Sequence, residues 1–382
     1  MDIKELRKKI DNIDEKIVSL LRERMETSAK VGQYKKENKL PIYDPSRESE
    51  LFDRVASLAG KELSSYTRVL YSTITDISRS YQRKVNGNEG ELSKRMQNAL
   101  QNTEKLFPEG GVVACQGVEG AYSQLACRKI FKSPSIMYFE SFEDVFRAVD
   151  KKLCRYGVLP IENSTAGSVN KIYDLMAKFK FHIVRSTRVR VAHALLAKKG
   201  AELSGIKEIY SHPQAISQCS EFLESLGKGV KVTECENTAV AAKMVAESGK
   251  KEIAALSSRD CALLYGLKNI ASSIQDMGNN YTRFICISKD LEIYPGADKT
   301  TIMAVAANTP GALFNLLSHF FAHGINLTKL ESRPIPDRDF EFMFYFDIDV
   351  SIYSPKYYAV ISELEKICED FRFLGSYSEN VG

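Results

Sequence analysis

The sequence predicts a multi-domain protein in which an all-α module precedes an α/β module and an α+β module of the ferredoxin-like type. At 382 residues the chain is too long for one ordinary core. No proline precedes Pro41, which permits a long first helix. From Gly111 onward, short apolar runs alternate with small-residue turns and helical patterns, as expected for layered α/β structure.

The first module covers residues 1–84. One helix is predicted from residue 3 to about residue 38, and shorter helices are predicted to start near Pro45 and near Ser64. Two heptad series give the long helix an apolar seam that requires a partner helix, so we expect the module to dimerise. The two series are Ile3, Ile10, Ile17 and Val31, and Leu6, Ile13, Leu20 and Tyr34.

Three further segments complete the predicted organisation. Residues 85–110 are polar with almost no apolar face, and we interpret them as a linker that could contain a solvated helix. Residues 111–288 have the texture of an α/β layer sandwich. Residues 299–378 contain the order β-α-β-β-α-β of a ferredoxin-like domain.

Composition bounds the location and the partners of the chain. The N-terminal stretch is charged and no eighteen apolar residues run together, so a secreted or membrane-spanning protein is not expected. Eight cysteines lie scattered without metal-ligand spacing, which favours reduced thiols in the cytoplasm. Residues 1–84 hold 18 Lys/Arg against 14 Asp/Glu, and the remainder is balanced. Such an excess does not predict a nucleic-acid surface but suits small anionic metabolites.

Charged residues interrupt the apolar seam of the first helix. Arg24 takes an apolar position, and a buried arginine requires an anion such as a bound carboxylate. Pairing with a glutamate at the edge of the bundle is the alternative. Lys35 lies about 20° around the helix from Arg24, so both share a face. Arg7 lies about 100° away and ~26 Å along the axis, so it could serve that site only across an antiparallel dimer.

The later helices of the module add polar residues. Asp44, Arg47 and Glu48 start the second helix, and Ser78 and Gln82 lie one turn apart on the third. With LRKKIDNID, LLRERM, KVGQYKK, DPSRESE and DISRSYQ in order, residues 1–84 resemble the all-helical chorismate mutases. The residues that the resemblance implies are Arg24, Ser78 and the partner's Arg7 for the substrate carboxylates, Lys35 and Gln82 for the ether oxygen, Glu48 for the ring hydroxyl, and Arg47 and Asp44 for the frame.

The chemistry implied for this module is a Claisen rearrangement of chorismate. It requires no nucleophile and no proton transfer, only a compressed conformer and positive charge beside the breaking C–O bond. Lys35 and Gln82 would supply that field. The alternative is a purely structural dimerisation module, in which Lys35→Ala leaves every activity unchanged.

Three turns of the α/β module carry hydroxyls, amides or acids at the starts of helices. They are Gly117–Ser123, Pro160–Ser164 and Ser211–Gln214. Helix N-termini of this kind bind carboxylates, although each turn alone could simply cap its helix. The G-x-x-G of the first turn lacks the third glycine of a dinucleotide fingerprint, so no nicotinamide cofactor is implied and we expect no cofactor.

Through GAYS, PIENS, SHPQ and above all NYTRF, residues 111–288 resemble prephenate dehydratases. The resemblance implies a bilobal fold, similar to periplasmic binding proteins, with the site in the cleft between lobes. The implied residues are Thr282 in the central role, Glu162, Asn163 and Gln218 near the departing hydroxyl, and Arg283 and Ser123 near the carboxylates.

Prephenate must lose a ring hydroxyl and CO₂ together, so the protein need only stabilise the leaving oxygen and anchor the carboxylates. Thr282 as a donor, or Glu162 as a general acid if burial raised its pKa, could do so, and both alternatives remain open. His193 and His212 are interpreted as structural histidines.

The last module contains Asn308–Gly311, whose residue types a helix start would explain. Two of its motifs nevertheless resemble those with which the ACT domains of this family hold phenylalanine at a dimer interface. Their residues are Gly311, Ala312, Leu313, Phe314, Glu331, Ser332, Arg333 and Pro334. The resemblance therefore implies feedback control by L-phenylalanine.

The three modules together resemble the bifunctional enzymes of phenylalanine biosynthesis. The expected substrates are chorismate and prephenate, the expected effector is L-phenylalanine, and a homodimer or tetramer without nucleic-acid or membrane partners is expected. Two alternatives remain. One is an amino-acid sensor that binds without chemistry, and the other is a dehydratase whose helical module only dimerises.

Overall fold

The computed structural model describes residues 2–85, 91–336, 338–339 and 341–380. The helices are α1 Ile3–Glu37, α2 Pro45–Val85, α3 Glu91–Asn102, α4 Tyr122–Ile130, α5 Phe142–Asp150, α6 Asn170–Phe179, α7 Pro213–Ser217, α8 Ser220–Ser225, α9 Thr238–Glu247, α10 Asp260–Leu264, α11 Ala312–Ala322 and α12 Pro355–Ile367, with a 3-10 turn at Leu203–Gly205. None of these described helices is both long enough and apolar enough to cross a membrane.

The strands of the described chain extend from the end of the predicted linker to the C-terminus. They are β1 Gly110–Gln116, β2 Ser133–Phe139, β3 Tyr156–Asn163, β4 Gly167–Ser168, β5 His182–Arg190, β6 Ala194–Ala197, β7 Glu208–Ser211, β8 Lys231–Glu234, β9 Ile253–Ser257, β10 Lys268–Ser272, β11 Tyr281–Ser288, β12 Lys299–Val305, β13 Asn326–Pro334, β14 Phe342–Asp349, β15 Asp370–Tyr377 and β16 Glu379–Asn380.

The chain forms two compact units. The first consists of Met1–Lys94, Ala306–Ile325 and Tyr358–Asp370, and the second consists of the intervening and following segments, Arg95–Val305, Asn326–Tyr357 and Phe371–Gly382. The boundaries predicted at residues 84, 110, 288 and 299 therefore do not coincide with these units, and they stay predictions.

The first unit is helical. Helix α1 is uninterrupted as predicted and ends where Asn38 caps it and Lys39 adopts a left-handed φ of 54°. The two predicted shorter helices together form α2. The residue Gly60, with a non-helical φ of 73°, divides α2 into two parts. At its start, the Asp44 carboxylate accepts from the Arg47 N–H over 3.1 Å, which is an N-cap bond.

The apolar seam of α1 is exposed in the single chain. Between 40% and 65% of the surface of each seam residue is accessible, which is far more than a helix of a closed core leaves open. They include Ile3, Leu6, Ile10, Ile13, Ile17, Leu20, Val31 and Tyr34.

The second unit contains two α/β sheets. One has the order β16-β5-β11-β3-β1-β2, with β4 attached to β3, and the other has the order β10-β6-β9-β7-β8. Strand β1 runs parallel to β2 and β3, whereas β11 runs antiparallel to β3 and β5. The chain enters the second sheet after β5 and returns after β10, so two connections join two lobes. The α/β prediction is confirmed.

A third sheet in the second unit has the order β13-β14-β12-β15. The predicted element order β12-α11-β13-β14-α12-β15 is present. Its Met303, Met343 and Tyr345 are buried in one apolar cluster with Leu159 of β3 and Ile285 of β11. This shared core attaches the third sheet to the back of the first.

The predicted solvated linker is wrong for the described part of residues 85–110. Helix α3 buries Met96 completely, and the Tyr357 hydroxyl lies 3.6 Å from its sulfur. The ring of Phe107 packs against Phe131 and Tyr294, at centroid distances of 5.1 and 4.8 Å. The apolar residues that pack here are few and lie four positions apart. Because the residues between them are polar, the sequence did not indicate a buried face.

Candidate active sites

Helices α1 and α2 approach closely at Gly32. A Cβ at this position would lie 2.9 Å from the Cβ of Gln82, so only glycine permits the observed separation. Gln82 is buried, and its Nε2 donates to the Ser28 hydroxyl over 2.7 Å. Its Oε1 is buried without a partner among the described residues. The chain therefore leaves one polar atom of Gln82 unsatisfied between the helices.

Arg24 and Ser78 are also brought together between α1 and α2. The Arg24 guanidinium donates to the Ser78 hydroxyl, which itself donates to the Ile74 carbonyl over 2.6 Å. Burial lowers the pKa of Arg24, yet no carboxylate of the described chain pairs with it. The Lys35 ammonium donates to the carbonyl of Ile42 over 2.7 Å. A cationic row therefore lines the junction of the two helices.

Glu48 is held by an arginine that the sequence reasoning missed. Arg79 forms ion pairs with Glu48 and Asp76, and its guanidinium lies 5.2 Å from the ring centroid of Tyr43. Burial raises the pKa of Asp76, and the neighbouring Arg79 opposes this shift. The signal for Arg79 was its place one turn after Asp76 in the DISRSYQ motif.

Two predicted site residues of this module do not lie beside Arg24 and Lys35 in the single chain. Arg7 is exposed on α1, about 26 Å along the axis from Arg24. Arg47 is exposed and pairs with Glu50 at 3.4 Å. Their predicted roles in a shared site remain predictions.

The α/β lobes of the second unit enclose a cavity of about 560 Å³. Four predicted residues line it, namely Ser123, Asn163, Gln218 and Thr282. Both histidines interpreted as structural, His193 and His212, line it as well. Ser123 lies in the first turn of α4 and is almost fully buried.

A chain of hydrogen bonds runs along this cavity. The Asn163 Oδ1 accepts from the N–H groups of Thr165 and Ala166, at 3.0 and 2.8 Å, which fixes the orientation of its amide. Its Nδ2 therefore donates to the Asn280 Oδ1 over 2.7 Å and to the Thr282 hydroxyl oxygen over 2.9 Å. The proton of Thr282 has no acceptor among the described residues and is available to a bound molecule.

The chain of bonds ends at His193. The Asn280 Nδ2 donates to the Gln218 Oε1 over 3.0 Å, and the His193 Nε2 lies 3.1 Å from the same oxygen. Because that oxygen only accepts, His193 carries its proton on Nε2. Burial lowers the pKa of His193, which favours this neutral form. Asn280 was missed as a site residue, although the NYTRF motif begins with it.

Glu162 and Arg283 are not brought into the cavity with the other four. Thr282 pairs with Asn163 and Arg283 pairs with Glu162, so Glu162 and Arg283 point to the back of the sheet. A bulge places Ile161 opposite no residue of β11, and Pro160 then faces the cavity again.

The two back-facing residues pair with the third sheet. Arg283 forms an ion pair with Asp347, and Glu162 lies 2.9 Å from the Lys329 ammonium. Arg283 and Glu162 themselves are 3.9 Å apart. Direct contact of either residue with a substrate stays a prediction.

The predicted effector residues fall into both units. In the first unit, Gly311 caps α11 at φ 84°, and Gly311, Ala312 and Phe314 line a cavity of about 830 Å³. In the second unit, Glu331 accepts from the Ser168 hydroxyl over 2.5 Å, and Arg333 pairs with Asp174 at 3.1 Å. The remaining predicted positions are Leu313 on α11 and Ser332 and Pro334 on β13.

Comparison with known proteins matches both active modules. Residues 6–83 match the family model of chorismate mutase type II, and residues 113–292 match that of prephenate dehydratase. The bifunctional chorismate mutase/prephenate dehydratase of Escherichia coli (strain K12) is 34% identical over 388 residues, covering 98% of this chain and 96% of that protein. The chain belongs to the bifunctional chorismate mutase/prephenate dehydratase family.

Two further similar proteins support the assignment. The bifunctional chorismate mutase/prephenate dehydratase of Aquifex aeolicus (strain VF5) is 31% identical over 377 residues, covering 98% of both chains. A solved prephenate dehydratase from Arthrobacter aurescens, in complex with L-Phe, is 28% identical with a TM-score of 0.64. That match covers 70% of this chain and 90% of the solved one.

Proposed function

We propose that this protein catalyses two consecutive reactions of phenylalanine biosynthesis, the rearrangement of chorismate to prephenate and the decarboxylating dehydration of prephenate to phenylpyruvate. The observation that carries the second reaction is the hydroxyl of Thr282, which is oriented by Asn163 and faces a cavity of about 560 Å³. The first reaction takes place in the helical module, where the donors of Arg24, Lys35 and Gln82 lie at the junction of two helices.

The rearrangement breaks a C–O bond and forms a C–C bond within one molecule, so the protein contributes shape and charge. Arg24 and Ser78 hold a substrate carboxylate, and Lys35 and Gln82 place positive charge at the ether oxygen. The Gln82 Nε2 donates one proton to Ser28, and its second N–H is the donor for the ether oxygen. Glu48, which Arg79 orients, accepts from the ring hydroxyl.

Completing the mutase site requires a second copy of the chain. The partner's Arg7 binds the other carboxylate, and Asp44 and Arg47 support the start of α2. The exposed apolar seam of α1 supplies the surface for this association, because a second α1 would bury it. A dimer is therefore the smallest complete form, and a tetramer is compatible with it.

In the dehydration, the bond from the ring to its hydroxyl and the bond from the ring to its carboxylate break together, and aromatisation drives the step. Thr282 donates a hydrogen bond to the departing oxygen, where negative charge develops. The C–O pair leaves with that oxygen as hydroxide, which a solvent proton converts to water, while the C–C pair of the departing carboxylate enters the aromatic ring. Asn163 and Gln218 hold the hydroxyl in place through the bonded chain. Ser123 lies in the first turn of α4, and the N-terminus of a helix favours a carboxylate.

Regulation belongs to residues 299–378, which we assign to a ferredoxin-like ACT domain. The strand order β13-β14-β12-β15 and the order of its helices support this assignment. L-Phenylalanine is the effector, and the relative solved in complex with L-Phe supports that choice. All eight cysteines are free, which agrees with a cytoplasmic location.

The test is to incubate the full-length protein with chorismate and to separate the products by chromatography, with and without phenylalanine. Phenylpyruvate that phenylalanine suppresses supports both activities and the regulation. Lys35→Ala should abolish the conversion of chorismate but not of added prephenate. Binding of phenylalanine without turnover of either substrate would instead support the amino-acid sensor.

A further inference from the structure

Strands β3 and β11 carry the cavity residues on one face and charged residues on the other. On β11, Thr282 faces the cavity and the next residue, Arg283, faces the third sheet. On β3, Asn163 faces the cavity and the preceding residue, Glu162, faces the third sheet. Since neighbouring residues share a backbone, any force that displaces the charged pair also displaces the cavity pair.

Arg283 and Asp347 are largely buried where the third sheet packs on the first. The side chain of Arg283 is 11% exposed and that of Asp347 is 5% exposed. Burial opposes the charge of Arg283, but Asp347 outweighs this effect and raises the pKa of the guanidinium. Asp347 also accepts from the Thr301 hydroxyl over 2.6 Å, which orients its carboxylate.

Lys329 makes the second connection. Its ammonium lies 2.9 Å from the Glu162 carboxylate and 2.8 Å from the Ser168 hydroxyl, with the side chain only 10% exposed. Ser168 borders the cavity, pairs with Glu162 across β4 and donates to Glu331. The third sheet therefore contacts both cavity strands through charged pairs.

We propose that Asp347 and Lys329 are positioning residues of the dehydration site, which hold Arg283 and Glu162 and thereby set the places of Thr282 and Asn163. Neither Asp347 nor Lys329 lines the cavity. The proposal rests on the dehydratase activity proposed above. It also implies that the regulatory sheet influences the cavity through these two pairs.

The bulge at Ile161 explains why this part of the sheet responds to the charged pairs. Ladder pairing is locally interrupted between Glu162 and Pro160, so the backbone there is less constrained than in a regular strand. If Asp347 loses its charge, the nearest remaining carboxylate for Arg283 is Glu162, at 3.9 Å. A shift of Arg283 towards it moves Thr282 away from its orientation.

The test compares Asp347→Asn with Asp349→Asn in the full-length protein. Asp349 lies two residues further along β14 and pairs with Lys299 while 43% exposed, so its substitution is a matched control. We expect Asp347→Asn to lower kcat for added prephenate roughly 100-fold, the loss that a displacement near 1 Å can cause. KM should change less than threefold, and Asp349→Asn should leave both constants unchanged.

The urea unfolding midpoint of the same samples reports whether the second unit is folded, and the mutase activity reports on the first. Lys329→Met should lower the dehydratase kcat as well, and it should weaken inhibition by phenylalanine at least fivefold. A double variant, Arg283→Met with Asp347→Leu, removes both buried charges and should recover at least a tenth of the wild-type kcat.

Several results would overturn the proposal. The first is an Asp347→Asn enzyme with wild-type kcat. The second is a double variant as inactive as Asp347→Asn, because that result would mean that Arg283 binds the substrate directly. If the wild-type protein itself does not convert prephenate while chorismate is consumed, the proposed dehydratase function fails, and that outcome is separate from a loss seen only in the variants.

Discussion

The Asn163 amide donates to the Thr282 hydroxyl over 2.9 Å, from one strand of the central sheet to its neighbour. This direction of donation leaves the Thr282 proton for the substrate. The remaining bonds of Asn163 permit no other orientation, because two backbone N–H groups occupy its oxygen.

Asn163→Asp should therefore disable dehydration without changing the size of the side chain. An aspartate keeps the acceptor for the two backbone N–H groups, but its second oxygen takes the proton of Thr282. We expect kcat for prephenate to fall about 100-fold, as for loss of a donor to developing negative charge. Asn279→Asp, an exposed position that adds the same charge, is the control. Equal losses in both variants would contradict this reasoning.

Gly32→Ala should impair only the mutase. The added Cβ would meet the Cβ of Gln82 at 2.9 Å and force the helices apart. Its gain of about 1 kcal/mol in helix propensity is offset by overpacking of ~1–3 kcal/mol, so the chain stays folded while the row of donors is displaced. We expect a tenfold or greater loss of chorismate turnover and normal turnover of prephenate.

The control for Gly32→Ala is Gly205→Ala. A Cβ at Gly205 would have no atom within 4 Å, and the residue has ordinary backbone angles. Both activities should be unchanged in this control. Normal mutase activity in Gly32→Ala would mean that the close approach of the helices is irrelevant to the site.

Phe107→Ala should destabilise the second unit. Its ring packs against Phe131, Tyr156 and Tyr294 and lies 4.2 Å beneath the guanidinium of Arg185. Since the ring is only half-buried, we expect a loss of about 2 kcal/mol in the free energy of unfolding, below the value for a fully buried phenylalanine. Urea unfolding measures it, with Leu106→Ala, which is 82% exposed, as the control.

Stability should decrease in mild acid because of His182. Burial, with the nearby charge of Arg95, lowers the pKa of His182 to about 4. The unfolded chain, with a histidine pKa of about 6.5, binds more protons between these values. The neutral His182 therefore makes its full contribution to the free energy of unfolding above about pH 6.5. This contribution, up to ~3 kcal/mol, is lost as the pH falls to about 4. His182→Gln should flatten the stability profile in this window, and an unchanged slope would contradict the assignment.

The sequence was sufficient for the element order and for the residues that motifs carry. Alternation of β strands, however, depends on register, and the bulge at Ile161 is not visible in the letters PIENS. The sequence analysis also placed Pro160–Ser164 in a turn, whereas β3 extends to Asn163 and adjacent strand residues point to opposite faces. Glu162 and Arg283 were therefore predicted beside Asn163 and Thr282, but they lie on the opposite face.

Long-range pairing accounts for the other differences. Asp347 and Lys329 are far in sequence from the PIENS and NYTRF motifs. Only the packing of the third sheet places them beside β3 and β11. The pairing of Glu48 with Arg79 likewise depends on how α2 is folded. The stripe of α3 was overlooked because its neighbours are polar, although Met96 is fully buried.

The proposed dehydration depends on the hydrogen bond that the Thr282 hydroxyl donates to the departing oxygen. The most direct test is the steady-state turnover of prephenate by Thr282→Val, which keeps the shape of the side chain and removes its donor. We expect a loss of kcat of roughly 100-fold or more, with normal conversion of chorismate to prephenate. Dehydration within twofold of the wild-type rate would contradict it.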